Sequence, residues 1–333
     1  MKAIRLSRPG GPEALEYADV PTPVPGAGQV LVKADSIGVC MPEVRVRKGV
    51  YAWMPPLPAI IGIEMSGTVV EAGAGVVALR AGDPVFVSAR ELPHRGGCYA
   101  EYIAVDAAAV YPLPRGIDLE AAACLSNYQV AWHVLYSATR GFSYDTVLAA
   151  TAAGGVGSAI VQLARAAGKQ VIGLTGSDAK VRFVLGLGAG HAFNYKTEPV
   201  AERVREATHG RGVDLVLDAV GGQGFAKIFD YLAPLGMVVS YGALDGPPAP
   251  EAWSAMRARL GESFAVRIFS MHVFDHVPEK RQAATRELIA LLRDGKIKPA
   301  IHARLPLAEA GAAQAMLERG EVLGKVILKP PPS

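Results

Sequence analysis

A glycine-rich turn between an apolar run and a helical pattern constrains the fold of this chain more than any other feature. Residues 146–169 read TVLAATAAGGVGSAIVQLARAAGK, with Ala152, Gly154 and Gly157 at the positions of a G-x-G-x-x-G motif. Glycines at such positions let the backbone turn tightly and approach a pyrophosphate, whose charge lies at the helix N-terminus. Because the first position holds alanine and such a turn alone is weak evidence, the flanking sequence must decide between a nucleotide site and a merely tight turn.

Strand and helix patterns alternate around this turn, beginning near Cys124. The predicted strands are 146–152, 170–176, 191–195, 213–220 and 236–243, and the predicted helices are 121–138, 157–168, 179–188, 200–210 and 223–234. Repeated βα units of this size predict a doubly wound parallel sheet with helices on both faces. Such sheets bind ligands outside the carboxyl ends of their strands, so this context favours the nucleotide site.

The rest of the chain has a different texture. From Met1 to about Ala123, short alternating runs are separated by Pro and Gly, which is typical of a compact, mostly antiparallel β domain. After the βα region come a strand-like run at 263–274, a helix at 279–295 and a terminal strand at 324–330. We therefore predict a discontinuous catalytic domain over 1–123 and 270–333, and a dinucleotide-binding domain over 124–269.

Composition and charge restrict the classes of partner. The net charge of +3 is spread along the 333 residues, without the Lys and Arg runs that nucleic-acid or membrane-surface binding would need, so small-molecule partners are expected. The three cysteines (Cys40, Cys98 and Cys124) form no C-x-x-C pair, which indicates a reducing compartment. With no apolar signal segment at the N-terminus and no membrane span expected, the predicted location is cytoplasmic.

The strand after the glycine turn distinguishes between the two nicotinamide dinucleotides. An NAD site usually has Asp or Glu at the end of this strand to bind the ribose 2′-hydroxyl. Here the strand ends in Thr175, Gly176 and Ser177, and Lys180 follows one helical turn later. Hydroxyl groups and a lysine can receive a 2′-phosphate, so NADP(H) is the predicted cofactor. The alternative is that Ser177 only caps the next helix and Lys180 is solvated.

Motifs along nearly the whole chain resemble one family. They include SIGVC at 36–40, GIEMSGTVVEAG at 62–73, AGDPVF at 81–86, GCYAEYIAV at 97–105 and the stretch L-x3-AAGGVG-x4-Q-x2-R from Leu148 to Arg165. Together they resemble the medium-chain dehydrogenase/reductase superfamily, and within it the zinc-free quinone oxidoreductase (ζ-crystallin-like) group. The resemblance implies an α/β protein with a GroES-like, mostly-β catalytic domain and a doubly wound Rossmann domain. It also implies an NADPH:quinone oxidoreductase-like enzyme.

The resemblance implies roles for individual cofactor-binding residues. Those matching the pyrophosphate loop are Gly154, Gly155, Val156 and Gly157, and those matching the 2′-phosphate site are Ser177, Lys180 and Tyr195. Those matching the segment beside the nicotinamide are Tyr241, Gly242 and Ala243, and Lys325 falls in the terminal motif that reaches the cofactor. Tyr195 is equally well explained as an aromatic residue that ends a strand.

The resemblance also bears on metal binding. Zinc alcohol dehydrogenases of the superfamily have His-Glu where this chain has Ile63-Glu64, and a cysteine ligand at the position of Cys40. Catalytic zinc needs three protein ligands, usually including an imidazole, and Cys40 with Cys124 makes a poor set. No metal is therefore predicted. Cys40 is expected to be a small buried residue that lines the nicotinamide pocket, and Glu64 to serve packing and hydrogen bonding.

Without a Lewis acid to ionise an alcohol, the expected acceptors are quinones and α,β-unsaturated carbonyls. The segment 41–58 is predicted to line the acceptor site. Its Tyr51 resembles the proton donor of enoyl-thioester reductases, or only walls the pocket together with Trp53. Arg45 and Arg47 are candidates for binding an anionic substrate, with at least one of them expected on the surface.

Three functions stay open at this point. The leading one is an NADPH-dependent quinone reductase, and the second is an enoyl-thioester or 2-alkenal reductase that uses Tyr51 as proton donor. The third is a non-catalytic NADPH-binding protein, because binding and turnover use the same loop. The resemblance further implies a homodimer in which the segment 263–274 pairs edge to edge with a second subunit.

Overall fold

The computed structural model describes residues 1–332, which form two compact units. Unit 1 consists of Met1–Asn127 together with the chain from Val277 onward, and unit 2 is Tyr128–His276. These divisions lie a few residues after the positions 123 and 269 that end the first two segments in the sequence analysis. The boundaries given there stay predictions of the domain limits.

Strands and α-helices are numbered in chain order. The strands are β1 (Lys2–Leu6), β2 (Leu15–Asp19), β3 (Gln29–Val39), β4 (Ala59–Ile60), β5 (Glu64–Ala72), β6 (Pro84–Ser88), β7 (Tyr102–Asp106), β8 (Val110–Pro112), β9 (Thr146–Ala149), β10 (Gln170–Thr175), β11 (His191–Asn194), β12 (Val213–Asp218), β13 (Leu232–Ser240), β14 (Ala265–Ile268), β15 (Ile301–Pro306) and β16 (Lys325–Lys329). The helices are α1 (Met41–Arg47), α2 (Leu119–Ala122), α3 (Leu125–Trp132), α4 (Gly155–Ala166), α5 (Asp178–Gly186), α6 (Val200–Ala207), α7 (Glu251–Ala258), α8 (Pro278–Arg293) and α9 (Ala310–Glu318).

Strand β3 organises unit 1. It pairs antiparallel with β5, β7 and β16 inside a sheet of order β15-β16-β3-β5-β6-β8. A smaller sheet of order β2-β1-β4 completes the unit. The apolar side chains of these strands form one core, which includes Val32, Ile37, Met65, Val85 and Val326. The alternating runs of the first 123 residues thus form the mostly antiparallel β structure that their pattern predicts.

Unit 2 is a six-stranded parallel sheet of order β11-β10-β9-β12-β13-β14. The order reverses direction between β9 and β12, which defines a switch point where the carboxyl ends of two neighbouring strands diverge. Buried side chains such as Leu148, Ile172, Val216 and Val238 make these strands apolar on both faces, as parallel sheets require. The predicted fold class, a GroES-like mostly-β domain with a doubly wound Rossmann domain, is confirmed.

Three predicted elements differ from the structure. The helix predicted at 121–138 is interrupted between α2 and α3, and α3 is followed by a π-helical turn at His133–Ser137. The helix predicted at 223–234 is wrong: residues Gln223–Tyr231 form 3₁₀ turns, and β13 already begins at Leu232. Pro234 explains the early end, because proline cannot continue a helix interior. The strand-like run at 263–274 is a strand only over β14 and then becomes a 3₁₀ turn at Met271–Asp275, capped by the Ser270 hydroxyl.

No helix within residues 1–332 combines the length and hydropathy needed to span a bilayer.

Candidate active site

The glycine turn of unit 2 joins β9 to α4. Gly154 is the N-cap of α4, and its N–H bonds to the Thr151 carbonyl at 3.2 Å. A Cβ at Gly157 would lie 1.9 Å from that same carbonyl oxygen, so only glycine fits there. At Gly154 the nearest atom to an added Cβ is 3.7 Å away, which leaves space beside the loop. The first N–H groups of α4 have no partner within the helix, and this cradle therefore fits a pyrophosphate.

Alanine at the first motif position is accommodated by the neighbouring strand. Ala152 is fully buried, and its N–H donates to the Leu174 carbonyl of β10 at 3.1 Å. Its methyl group lies where a side chain at Gly173 would be, since a Cβ on Gly173 would come within 2.8 Å of it. Because Gly173 has no Cβ, there is space for the Ala152 methyl group. A glycine is therefore not required at position 152.

The residues assigned to the 2′-phosphate gather at the carboxyl ends of β10 and β11. The Ser177 hydroxyl caps α5 by accepting the Lys180 N–H at 3.4 Å, so the capping interpretation is correct. A hydroxyl that accepts one bond can still donate to an anion, so capping and phosphate binding are compatible. Tyr195 is 53% exposed, and a Cβ on Gly176 would lie 2.8 Å from its hydroxyl. Thr175 is buried and donates from its hydroxyl to the Ser177 carbonyl at 3.3 Å.

The loops that follow β12 and β13 hold the segment assigned to the nicotinamide. The Tyr241 N–H donates to the Asp218 carbonyl at 2.8 Å, and the Tyr241 side chain lies close to that of Thr151. Burial, reinforced by the charge of Asp218, raises the pKa of Tyr241. At Gly242 a Cβ would lie 2.7 Å from the Ala219 carbonyl, so glycine lets the two strand ends approach. The segment from Tyr241 to Ala243 therefore lies beside the glycine turn.

Asp218, the last residue of β12, was not identified from the sequence. Its carboxylate accepts the N–H groups of Val220 at 3.1 Å and Gly221 at 3.0 Å, and it thereby shapes the turn after β12. Burial raises its pKa, while these two hydrogen bonds oppose the shift. An acidic residue inside the apolar pattern VDLVLDAV was a signal that could have identified it.

A buried charged group in unit 1 explains Glu64. Its carboxylate accepts the Ser126 N–H at 2.7 Å, the Lys325 ammonium, and the Cys40 thiol at 3.2 Å. The Lys325 Nζ also lies 2.7 Å from the Cys40 Sγ, and the Asn127 Oδ1 lies 3.7 Å from the same sulfur. We call these four residues (Cys40, Glu64, Asn127 and Lys325) the Lys325 cluster.

The pairing of three strands assembles the Lys325 cluster. In the β3–β16 pair Val39 faces Val326, which brings Lys325 opposite Cys40. In the β3–β5 pair Ile37 faces Met65, which brings Glu64 opposite Gly38. A Cβ on Gly38 would lie 2.4 Å from a Glu64 carboxylate oxygen, so this glycine provides the space for the carboxylate.

Charge is balanced inside the cluster. Lys325 is 2% exposed and Glu64 is fully buried, so neither charge is stable there without the other. Burial disfavours the charge of Lys325, but the groups around it, Cys40 and Glu64 first, outweigh burial and raise its pKa. Burial raises the pKa of the Cys40 thiol well above its usual range, against the opposing charge of Lys325. The Lys325 ammonium and the Glu64 carboxylate therefore form a buried ion pair, and the Cys40 sulfur contacts both of them.

Glu43 fixes the position of Cys40. Its carboxylate accepts the Cys40 N–H at 2.6 Å and the Ile63 N–H at 3.1 Å, which ties the start of α1 to the segment before β5. Burial raises the pKa of Glu43 to about 8, while Lys325 and the two N–H groups act against the shift. The backbone of Cys40 is thus held beside that of Ile63.

The donor set of this region does not fit a catalytic zinc. Throughout residues 1–332, no three His, Cys, Asp or Glu side chains are grouped as a metal ion would require. Ile63 offers hydrocarbon, and the thiol of Cys124 donates to the Glu120 carbonyl at 3.3 Å. The buried cation that Cys40 and Glu64 contact is the ammonium of Lys325.

The expected acceptor-binding segment, 41–58, directly follows Cys40 along the chain. Tyr51 is partly buried, and its ring centroid lies 5.7 Å from that of Trp53. Arg45 is partly buried on α1. Arg47 is fully buried and paired with Glu318, so the hypothesis that it binds an anionic substrate is wrong. Neither arginine is an exposed surface residue, so the expectation that at least one would be exposed is wrong, and Arg45 stays a candidate.

A doubly wound sheet with this glycine turn, joined to a GroES-like unit, defines a dinucleotide-dependent oxidoreductase. Residues 26–115 match the alcohol dehydrogenase GroES-like domain family, and residues 187–328 match the zinc-binding dehydrogenase family. A quinone oxidoreductase of Pseudomonas aeruginosa is 34% identical over 99% of both chains.

Two solved structures are similar over almost the whole chain. The quinone oxidoreductase of Escherichia coli complexed with NADPH superposes with a TM-score of 0.86 at 28% identity, covering 99% of this chain and 100% of that one. A mycobacterial protein complexed with NADPH gives a TM-score of 0.86 at 33% identity with the same coverage. The chain belongs to the medium-chain dehydrogenase/reductase superfamily, in its zinc-free quinone oxidoreductase group.

The structure groups most of the residues singled out from the sequence. Gly154 to Gly157 lie in the turn between β9 and α4, Tyr241 to Ala243 in the loop after β13, and Thr175, Ser177 and Tyr195 at the ends of β10 and β11. Lys325, assigned to the cofactor by resemblance, has its ammonium in contact with Cys40 and Glu64. A lone carboxylate in an apolar run signals that a cation partner is needed, but it does not say which one.

Proposed function

We propose that this enzyme is an NADPH-dependent reductase that transfers hydride to a quinone or another activated acceptor without a catalytic zinc. The observation that carries the proposal is the Lys325 cluster, in which an internal ammonium contacts Glu64 and Cys40. An ammonium held by a carboxylate in this way does not offer the open coordination site with which zinc ionises an alcohol. The Lys325 cluster therefore favours substrates that accept hydride without activation by a metal ion.

The cofactor assignment is supported by the fit of the glycine turn and by the NADPH complexes of the two similar structures. When bound, NADPH supplies the hydride. In our proposal the N–H groups from Gly155 to Gly157 bind the pyrophosphate, and Ser177, Lys180 and Tyr195 bind the 2′-phosphate. The segment from Tyr241 to Ala243 is proposed to orient the nicotinamide end, since Gly242 lets the backbone after β13 lie close to the end of β12.

The role proposed for unit 1 is to hold the acceptor. Cys40 and Tyr51 are proposed to contact the acceptor, and Arg45 to attract an acceptor that carries negative charge. Lys325 is proposed to hold Cys40 in position and to keep a positive charge next to its sulfur atom. Catalysis then consists mainly of orienting the acceptor and excluding water, since the redox chemistry belongs to the cofactor.

The test is an NADPH-oxidation screen with benzoquinone, naphthoquinone, 2-alkenals and enoyl-CoA, each with and without a metal chelator. We expect turnover with at least one quinone at a rate that the chelator leaves unchanged. Alcohol oxidation that disappears on chelation would contradict the zinc-free mechanism. NADPH binding without oxidation of any acceptor would instead support a non-catalytic NADPH-binding protein.

Lys180 tests the preference for NADPH. Lys180→Glu is expected to weaken NADPH binding by about 1.5–3 kcal/mol, the range of a charge-assisted hydrogen bond, and to leave NADH binding nearly unchanged. Fluorescence titration of both cofactors measures the difference, and Lys180→Arg serves as the charge-conserving control. Equal losses for NADPH and NADH would exclude Lys180 as a 2′-phosphate ligand.

Tyr51 distinguishes quinone reduction from the second candidate, reduction of an enoyl thioester. Tyr51 is partly buried beside Trp53, and we propose its hydroxyl as a candidate either to protonate a carbon atom or only to shape the site. Tyr51→Phe is expected to change quinone turnover by less than about threefold. If Tyr51 is a proton donor, the same variant is expected to lower the turnover of crotonyl-CoA by about 10²–10⁴-fold. Loss of crotonyl-CoA turnover with quinone turnover retained would assign Tyr51 as the donor.

We also propose a homodimer that pairs through β14. This strand is the edge of the sheet of unit 2, with Ile268 85% exposed and Val266 40% exposed. Ile268→Lys is expected to shift the protein from dimer to monomer in sedimentation velocity, because a charge on a paired edge opposes association. Val77→Lys, at a residue that is 97% exposed, is the matched control and should leave the dimer intact. A wild-type protein that is monomeric at all concentrations would refute the proposal.

A further inference from the structure

The contact between Cys40 and Lys325 is unusually close for its two atoms. The Nζ and Sγ atoms are 2.7 Å apart, which is the short end of the range for N–H···O hydrogen bonds, although sulfur is larger than oxygen. A nitrogen and a sulfur atom joined through one bridging oxygen have about this separation, whereas a direct S–N bond is much shorter. The pair is thus already spaced for an oxygen bridge and would need little movement to accept it.

We propose that Cys40 and Lys325 are a site of oxidative covalent modification, at which hydrogen peroxide joins the two side chains through an N–O–S bridge. In the first step the Cys40 thiol, which already donates to Glu64, passes its proton to that carboxylate as the sulfur takes one peroxide oxygen. The O–O bond breaks, the sulfur is oxidised by two electrons to a sulfenic acid, and Glu64 returns the proton to the departing hydroxide, which leaves as water. The second oxidises the lysine nitrogen by two electrons as the N–O bond forms to the sulfenic oxygen, and two waters leave. Of the three protons on the ammonium, one stays on nitrogen, one passes to Glu64, and one leaves in water with the sulfenic proton.

The surroundings supply what these steps need. The Glu64 carboxylate already accepts a hydrogen bond from the Lys325 ammonium, so a proton acceptor is in contact with the reacting nitrogen. Cys40 is 5% exposed, which leaves a route for a molecule as small as peroxide but not for a bulky thiol reagent. The Asn127 Oδ1, 3.7 Å from the sulfur, adds a polar atom beside the sulfenic oxygen.

The bridge would alter the charge of the cluster. It removes the positive charge of Lys325, transfers a proton to Glu64, and ties β16 to the start of α1. Because Cys40 is proposed above to contact the acceptor, we expect bridged protein to lose reductase activity. Two equivalents of a dithiol would restore the thiol and the amine with release of one water. The inactivation rests on the proposed function, but formation of the bridge does not.

The experiment is peptide mass spectrometry of the whole protein after treatment with hydrogen peroxide. We expect the Cys40 and Lys325 peptides to appear as one species, heavier than their sum by one oxygen less two hydrogens, with tryptic cleavage after Lys325 blocked. Dithiothreitol should return both peptides to their original masses. Cys40 found as sulfinic or sulfonic acid with Lys325 unmodified would overturn the proposal, as would a linked species lacking the oxygen.

Variants separate this chemistry from general oxidation. Cys40→Ala and Lys325→Arg should each abolish the linked species, and the arginine keeps a positive charge beside Glu64. Cys124→Ala is the matched control, because this buried thiol donates to the Glu120 carbonyl, and it should leave the link at its wild-type yield. A link that persists in Cys40→Ala would refute the assignment. A link that forms in a protein that reduces none of the acceptors before peroxide treatment would refute the proposed function and leave this site standing.

Discussion

Replacing Lys325 with methionine is expected to lower the free energy of unfolding by about 3–5 kcal/mol, the cost of breaking a buried ion pair. Methionine fills a similar volume, so the loss measures charge rather than packing. It leaves the Glu64 carboxylate fully buried without its cation, although the Ser126 N–H still bonds to it. Urea unfolding followed by circular dichroism measures the change.

Two further variants show whether the charge pair is responsible. Lys325→Met combined with Glu64→Gln should recover part of the lost stability, because no uncompensated charge is then buried. Lys329→Met is the matched control on the same strand: its ammonium pairs with Asp35 at 2.9 Å, with both side chains over a third exposed. Such exposed pairs contribute about 0–1 kcal/mol. Equal losses for Lys325→Met and Lys329→Met would contradict the buried pair.

Gly157→Val is expected to abolish measurable cofactor binding, with a Kd at least about 100-fold higher, or about 2.7 kcal/mol. The Cβ would lie 1.9 Å from the Thr151 carbonyl oxygen and 2.7 Å from the Ala152 Cα. Since both neighbours are backbone atoms, the turn itself must move, and the N–H groups at the start of α4 move with it.

Fluorescence titration with NADPH measures the loss, and circular dichroism monitors the fold. Gly186→Ala is the matched control, because this helical glycine has no atom within 4 Å of an added Cβ. It should leave NADPH binding unchanged and slightly stabilise α5. Retained binding in Gly157→Val would show that the turn does not contact the cofactor.

Much of the fold could be predicted because its signals are local. The strands β9 to β13 and helices α4 to α6 have short-range apolar patterns, and the glycine turn at 152–157 marks the junction between two of them. The helix predicted at 223–234 failed for a local reason too: Pro234 and the apolar run after it favour a strand. NADP(H) and the zinc-free group also followed from short motifs.

The partners of single buried residues could not be predicted in this way. Arg47 and Arg45 lie two positions apart on one helix, yet only Arg47 is fully buried and paired with Glu318. Ala152 departs from the glycine motif, and its tolerance depends on Gly173 in another strand. In both cases the deciding neighbour is distant in sequence.

The sequence by itself determined the order of βα units, the glycine turn and the absence of a histidine before Glu64, since each depends on neighbouring residues. Only the tertiary structure decided what Glu64 binds. Lys325 is 261 residues from Glu64 and 285 from Cys40 along the chain, and antiparallel pairing of β16 and β5 with β3 brings them together. The physical reason is that a buried charge requires a partner, but packing selects which residue supplies it.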